Sequence, residues 1–101
     1  MSVLMTLRVA GDPEKVEALA AQDPAMLQRI VDRAKDHGLI SHRFYGTEGS
    51  VLVIDKWPSQ EAFQGFFEET TEIAQIMQAA GVTTEPEITF WRVLDTKDEV
   101  G

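Results

Sequence analysis

The segment at residues 57–63 constrains the fold of this chain more than any other stretch of its sequence. Before it, residues 50–57 are rich in β-branched side chains, which is typical of a buried strand. After it, apolar residues recur at helical spacing, and Ser59 is a good helix N-cap. We therefore predict a tight strand-to-helix connection at Trp57-Pro58-Ser59. The apolar positions of the helix are Ala62, Phe63, Phe66, Phe67, Thr70, Ile73, Ala74 and Met77.

Three other segments are predicted to be strands, because each is a short run of mostly apolar residues. They cover residues 2–10, 39–45 and 87–94. The second of them leads through a turn at residues 46–49 into the strand at residues 50–57, so these two strands form a β-hairpin.

Helix signals fill the two long intervals between the strands. Asp12-Pro13 and Asp23-Pro24 each place an N-cap residue before a proline at the first helical position, so the first interval holds two helices or one broken helix. Its longer part ends at Gly38, a favourable residue just past a helix C-terminus. The second interval holds a helix that is predicted over residues 59–80.

The resulting element order, β-α-β-β-α-β, is that of ferredoxin-like α+β domains. We expect a single domain over residues 1–101, with a structured core at residues 2–94 and a polar tail at residues 95–101. Its four-stranded antiparallel sheet carries the helices on one face.

The predicted sheet is apolar on both faces, although the helices cover only one of them. Leu52 and Ile54 point to one face of their strand, and Val51 and Val53 point to the other. The uncovered face needs a cover, which the sheet of a second copy would supply. We therefore expect a homodimer with an isologous interface.

The hairpin brings a histidine close to an aspartate. A four-residue turn places Tyr45 opposite Ser50 and His42 opposite Val53, so that His42 lies diagonal to Asp55 on the same face of the sheet. An imidazole oriented by a carboxylate is a suitable general base, and such pairs are also common structural contacts. The sequence leaves both roles open for His42 and Asp55.

Composition excludes several classes of function. The chain has 9 basic and 17 acidic residues, and the acidic excess lies almost wholly after residue 58. Because such a surface repels phosphate groups, we expect neither nucleic acid nor a membrane as a partner. The chain has no cysteine, and His37 and His42 form no recognised metal motif, so we expect no metal site.

The first residues bear on the location of the protein. Their apolar run meets Arg8 too soon for a signal-peptide core or a membrane span. The absence of cysteine also suits a reducing compartment. We therefore expect a cytoplasmic protein.

A strand pair, a tryptophan and a helix start follow one another between residues 42 and 63. The residues concerned are His42-Arg43-Phe44-Tyr45, Val51-Leu52-Val53-Ile54-Asp55, Trp57, Ser59, Glu61, Ala62 and Phe63. This pattern resembles that of the antibiotic biosynthesis monooxygenase domain family, within the dimeric α+β barrel superfamily. The element order is similar to that of the family over residues 2–94.

The resemblance implies a range of activities. The family includes cofactor-independent oxygenases of polycyclic phenols and quinols, haem-degrading enzymes, and members without a known reaction. Trp57 corresponds to the pocket tryptophan of both enzyme groups. Val53 stands where the quinol oxygenases tend to have an asparagine, and Phe67 stands where the haem-degrading members have their iron-binding histidine. If the chain is an enzyme, the resemblance implies a monooxygenase-like oxidoreductase without metal, flavin or other cofactor.

Trp57, Phe63, Phe67 and Val53 are the candidate ligand-binding residues. Trp57 could stack on a flat aromatic ligand, with Phe63, Phe66 or Phe67 as the opposite wall. Aromatic residues at helical spacing are also typical of ordinary core packing, so both interpretations stay open.

Two functions follow from these alternatives. In the first, a small apolar or aromatic molecule binds between sheet and helices, and His42 and Asp55 are the catalytic residues of a cofactor-independent oxygenase, with Arg8 or Arg92 steadying the anion that forms. In the second, the chain is a non-catalytic homodimeric binding or assembly domain whose core is filled by its own side chains.

Overall fold

A four-stranded antiparallel sheet with helices packed on one face makes up the fold, which we describe from a computed structural model of residues 2–101. The elements in chain order are β1 (Val3–Ala10), α1 (Pro13–Gln22), α2 (Pro24–Asp36), β2 (Ser41–Thr47), β3 (Ser50–Trp57), α3 (Gln60–Glu69), α4 (Glu72–Ala79) and β4 (Glu87–Trp91). The strands lie in the order β2-β3-β1-β4. The predicted ferredoxin-like α+β class is confirmed.

Alternation along β1 and β3 decides which sheet face meets the helices. Met5 and Leu7 of β1 are buried, whereas Leu4 and Arg8 are exposed. The buried face of the sheet and the inner faces of the helices enclose one apolar core. The buried members of this core are Met5, Leu7, Val9, Val16, Met26, Ile30, Ala34, Val51, Val53, Trp57, Phe63, Phe66 and Ala80.

Side-chain caps begin three of the helices, as the sequence predicts. Asp12 Oδ1 accepts from the amide of Glu14 at 3.0 Å, which starts α1, and Asp23 Oδ1 accepts from the amide of Met26 at 3.2 Å, which starts α2. The first helical interval is therefore two helices. Ser59 caps α3 in the same way, and each such cap stabilises the fold by about 1 kcal/mol.

Gly38 fixes the corner between α2 and the hairpin. Its φ of +95° is in the left-handed region, which suits a residue that follows a helix C-terminus. A Cβ at this position would also lie only 2.8 Å from Cγ of Pro58. The end of α2 is thereby packed against the strand-to-helix connection that follows Trp57.

The prediction of one helix over residues 59–80 is wrong, because the helix breaks after Glu69. Thr70 leaves the helical conformation with φ −102° and ψ 85°, and its hydroxyl donates to the carbonyl of Phe66 at 2.7 Å. This hydroxyl-to-backbone bond offers an alternative to continued helix. The separate helix α4 begins two residues later, at Glu72.

The predicted hairpin register is also wrong, by two residues. The turn consists of Glu48 and Gly49 alone, with Gly49 at φ +75°, so Thr47 pairs with Ser50. His42 therefore lies directly opposite Asp55 rather than opposite Val53. Because a shift of two residues preserves the side-chain alternation, His42 still shares a sheet face with Asp55, as predicted. The strands differ in length from their predictions as well, since β2 covers Ser41–Thr47 and β4 ends at Trp91.

The sheet face away from the helices carries large apolar side chains that are exposed to solvent. Leu4, Tyr45 and Trp91 are exposed there, at 40%, 50% and 52% of their surface. Leu52 and Ile54 of β3 lie between them and are half-buried. The indole of Trp91 donates to Thr6 Oγ1 at 2.8 Å, which holds the ring across this face. Within the described residues, no helix is long and apolar enough to cross a membrane.

Candidate functional site

A cavity of about 240 Å³ lies between the sheet and the helices. Side chains from β1, β2, β3 and all four helices line it, and within residues 2–101 His42 and Asp55 are the only polar residues in the wall. An apolar cavity of about 150 Å³ can hold one benzene molecule. A cavity of this size and character therefore has room for an apolar molecule of about two fused rings.

His42 and Asp55 form a hydrogen-bonded pair in this wall. Their direct opposition in the hairpin places His42 Nδ1 2.7 Å from Asp55 Oδ1. The Asp55 side chain is only 7% exposed, whereas that of His42 is 27% exposed. The histidine is accordingly the more accessible member of the pair, and the aspartate lies behind it.

Trp57 holds the other oxygen of the same carboxylate. Its indole Nε1 donates to Asp55 Oδ2 at 3.2 Å, and the indole is completely buried. Asp55 and Trp57 are two residues apart in β3, so they lie on the same sheet face. Both oxygens of the buried carboxylate thus have a donor, which offsets the cost of removing this charge from water.

The carboxylate determines which nitrogen of His42 carries a proton. A carboxylate oxygen only accepts, so Nδ1 must donate to Asp55. In the neutral imidazole, Nε2 is then the acceptor, and it has no hydrogen-bond partner among residues 2–101. Phe44 contacts the ring edge-to-face with 5.1 Å between centroids, which limits the orientation of the imidazole. The geometry provides an oriented base that is free to accept one proton.

The phenylalanines of α3 form the aromatic part of the cavity wall. Phe63, Phe66 and Phe67 all line the cavity, and the rings of Phe63 and Phe67 stack with 5.3 Å between centroids. Trp57 lies behind this wall, against Phe63 and Phe66 at 5.6 and 5.3 Å, and is not itself among the residues that line the cavity in the described chain. The tryptophan is placed to hold Asp55 rather than to stack on a ligand.

Val53 lines the cavity at the centre of the sheet. It lies between Leu7 of β1 and Phe44 of β2, both of which also face the cavity. An apolar residue at this central position extends the apolar wall up to the His42–Asp55 pair. Any hydrogen bond to a ligand is thereby concentrated at one end of the cavity.

The expectation that Arg8 or Arg92 would steady an anion is wrong. Arg8 lies on the opposite sheet face, where it donates to Ser50 Oγ at 3.2 Å and lies 3.6 Å from Glu87. In β1 the side chains of Met5, Leu7 and Val9 face the cavity, and the alternate residues, which include Arg8, face the other way. Arg92 follows β4 and is exposed. Neither arginine lines the cavity.

Two side-chain pairs that the sequence did not predict join α2 to the helices that follow. Arg33 makes two hydrogen bonds to Glu72, at 2.9 and 3.3 Å. The hydrogen bond from Arg33 lowers the pKa of Glu72 below its ordinary value of 4.5, and it raises the pKa of Arg33. His37 is the C-cap residue of α2 and also contacts Glu69. These pairs hold the helix side of the cavity together.

No site suited to a metal ion is formed by the residues that the structure describes. Within residues 2–101, no three histidine, aspartate or glutamate side chains come together as ligands of a metal would. His42 and Asp55 are the polar residues of the cavity, and they bond to each other.

The chain was compared with protein families, with curated proteins and with solved structures. No protein-family model matches the chain, and no curated protein does either. Several solved structures do match it, and three of them are described below. The oxygenase SnoaB from Streptomyces nogalater is 20% identical, with a TM-score of 0.60 over 97% of this chain and 98% of its own. The ActVA-Orf6 monooxygenase from Streptomyces coelicolor is 15% identical, with a TM-score of 0.64 over 94% of this chain and 89% of its own.

A third structure carries the family name itself. A protein described as an antibiotic biosynthesis monooxygenase is 9% identical, with a TM-score of 0.61 over 91% of this chain and 98% of its own. At these identities the likeness concerns the fold. The chain therefore shares the fold of these three proteins, and this is the fold that the resemblance in its sequence predicts.

Proposed function

We propose that this protein binds a small, largely aromatic molecule in the cavity and removes a proton from it with His42. One observation carries the proposal: the wall of an otherwise apolar cavity holds a hydrogen-bonded histidine–carboxylate pair. Proton transfer to a positioned imidazole contributes about 10²- to 10⁴-fold to a reaction rate. In this proposal His42 and Asp55 are the catalytic residues, and Val53, Phe63 and Phe67 contact the ligand.

The reaction that fits this arrangement is a cofactor-independent oxygenation. If Nε2 of His42 takes the hydroxyl proton of a phenol such as α-naphthol, the resulting anion is electron-rich enough to react with oxygen directly. A carbon–oxygen bond forms at the carbon para to the oxyanion, and the resulting peroxide takes back the proton held by His42. The oxygen–oxygen bond then breaks as that carbon loses its hydrogen as a proton, and the departing hydroxide combines with this proton to give water. One α-naphthol and one O₂ thereby yield one naphthoquinone and one H₂O. The description of SnoaB as a cofactor-independent oxygenase and the complex of ActVA-Orf6 with nanaomycin D support this choice.

We further propose that the working form is a homodimer joined through the sheet faces away from the helices. Leu4, Tyr45 and Trp91 leave an apolar patch on that face. Large apolar side chains that are exposed together on one face of a sheet are typical of an interface. A second copy offers the same patch, so a two-fold arrangement would bury both.

A second candidate function is binding without turnover, in a homodimeric binding or assembly domain. The composition of the wall favours it, because within residues 2–101 the cavity has no arginine, lysine or amide side chain that would stabilise reduced oxygen. A core filled entirely by its own side chains is less consistent with a cavity of about 240 Å³.

One pair of measurements separates these functions. Binding of α-naphthol is followed under argon by calorimetry, and turnover is followed by oxygen uptake and by ¹⁸O₂ labelling of naphthoquinone and water. We expect His42→Ala to lower oxygen uptake at least 100-fold while the affinity changes only a few-fold. His37→Ala is the matched control, because that histidine lies outside the cavity. Binding without any oxygen uptake by the unaltered protein would establish the second function instead.

A further inference from the structure

We propose that the hydrogen-bond chain Trp57–Asp55–His42 makes the cavity selective for ligands whose polar group donates a hydrogen bond. A hydroxyl compound would be bound in preference to a ketone or quinone of the same size. This inference rests on the proposed function, since it requires the ligand to meet His42, and it goes further by naming the polar group that the site selects.

The first step of the argument is the tautomer of His42. Asp55 Oδ1 accepts from Nδ1 at 2.7 Å, which leaves Nε2 as an acceptor in the neutral ring. A ligand hydroxyl can donate to that nitrogen. A ligand carbonyl has no proton to donate, so its oxygen and Nε2 of His42 would face each other as two acceptors.

The second step is that the wall offers a carbonyl no alternative donor. Every other lining residue in the described chain is apolar except Asp55, whose two oxygens already accept from His42 and Trp57. A buried carbonyl would therefore lose its hydrogen bonds to water without replacement. We expect this to favour the hydroxyl compound about tenfold, since sites built to hydrogen-bond one group reject analogues that leave it unpaired.

The third step identifies Trp57 as the positioning residue. In an Asp55→Asn variant, the indole N–H still needs an acceptor at the former Oδ2 position, so the amide oxygen must turn towards Trp57. The amide NH₂ then faces His42 and donates to Nδ1. The ring proton moves to Nε2, which becomes a donor, and the preference for hydroxyl ligands should disappear.

The test compares two bicyclic ligands with the same ten-carbon skeleton and with oxygen on the same carbon. These are α-naphthol, which donates, and α-tetralone, which only accepts. Affinities are measured by calorimetry under argon at about pH 8, above the ordinary imidazole pKa of about 6.5. For the unaltered protein we expect α-naphthol to bind about tenfold more tightly than α-tetralone. In Asp55→Asn this ratio should fall about tenfold, because a carbonyl then finds a donor while the phenol oxygen can still accept.

Two further variants show whether the effect passes through Trp57. In the double variant Trp57→Phe with Asp55→Asn, the amide is free to turn either way, so the ratio should lie between those of the unaltered protein and the single variant. Glu69→Gln changes the carboxylate partner of the other histidine, His37, outside the cavity. It should keep the unaltered ratio.

The outcomes are distinguishable. If neither compound binds the unaltered protein, the proposed function and this inference both fail. If both bind equally, or if Asp55→Asn keeps the preference for α-naphthol, ligand binding in the cavity is retained, but the proposed selectivity for hydroxyl compounds is refuted. Should Asp55→Asn fail to fold, the ¹H–¹⁵N spectrum of unaltered His42 decides, since protonated Nδ1 with bare Nε2 supports the inference and the opposite tautomer overturns it.

Discussion

The indole N–H of Trp57 donates to Oδ2 of Asp55 at 3.2 Å, and this bond links the strand-to-helix corner to the cavity. Because Asp55 also accepts from His42, one carboxylate links a completely buried tryptophan to an imidazole that is 27% exposed. The sequence feature that best predicts the fold is therefore also part of the candidate site.

Removal of the indole N–H of Trp57 should lower the stability of the fold and disturb the hydrogen bonding of Asp55. Trp57→Phe keeps an aromatic ring in the corner but leaves one buried oxygen of Asp55 without its donor. We expect the free energy of unfolding to fall by about 1 to 3 kcal/mol, measured by urea denaturation. Gln28→Ala is the matched control, since it removes an exposed N–H donor from Asp32 on α2 and should change stability by less than about 0.5 kcal/mol. Equal losses in the two variants would contradict the role given to Trp57.

Filling the cavity should abolish ligand binding without unfolding the protein. Val53→Phe places a ring in the empty space at the centre of the sheet. Because added volume occupies a void rather than a packed core, stability should change by no more than about 1 kcal/mol. Calorimetry with α-naphthol should detect no binding to this variant. Ala79→Phe adds the same ring on the exposed surface of α4 and should bind normally, and normal binding by Val53→Phe would place the ligand elsewhere.

Acid should weaken the link between α2 and α4. The pKa of Glu72 is lowered in the folded protein by the hydrogen bond from Arg33, so its contribution to stability is present above the ordinary glutamate pKa of 4.5 and is lost as the pH falls through the lower, folded value. We expect Glu72→Gln to be less stable than the unaltered protein at neutral pH. The difference should shrink as the pH falls below 4.5, as followed by thermal unfolding. Glu68→Gln, a substitution at an exposed position of α3, serves as the control, and a difference that grows in acid would refute the sign.

A charge on the outer sheet face should prevent dimerisation. Ile54→Glu introduces a carboxylate between Thr6 and Arg43 on the outer sheet face, where the proposed interface would remove it from water at a cost that an ion pair with Arg43 does not fully offset. We expect a monomer by sedimentation velocity at concentrations where the unaltered protein is a dimer. Ala25→Glu adds the same charge to the exposed surface of α2 and should leave the dimer intact. A monomeric unaltered protein, or a dimeric Ile54→Glu variant, would contradict the proposed interface.

Much of the fold could be predicted from local signals in the sequence. The starts of three helices could be predicted from the N-cap residues Asp12, Asp23 and Ser59, because capping depends on neighbouring backbone amides alone. The break at Thr70 could not be predicted in this way, since the apolar spacing continues across it. The two-residue turn was missed because Gly46 and Gly49 both suggested turn positions, and only Gly49 has a positive φ.

The candidate site could be predicted in part. Alternation placed His42 and Asp55 on one sheet face even with the wrong register, because an error of two residues does not exchange faces. The role of Trp57 as a donor to Asp55 depends on the rotamers of two side chains, and the cavity depends on the packing of four helices. Neither leaves a periodic signal in the sequence, and the same is true of the pair Arg33–Glu72.

The most direct test is a long-range ¹H–¹⁵N spectrum of the histidine side chains, recorded with and without α-naphthol. The chain has two histidines, so His37 is an internal reference for His42. Binding beside His42 predicts a large shift of its Nε2 resonance at saturation, while the resonances of His37 stay in place. If His42 Nε2 does not move at saturating α-naphthol, or if only His37 responds, the cavity is not the binding site that we propose.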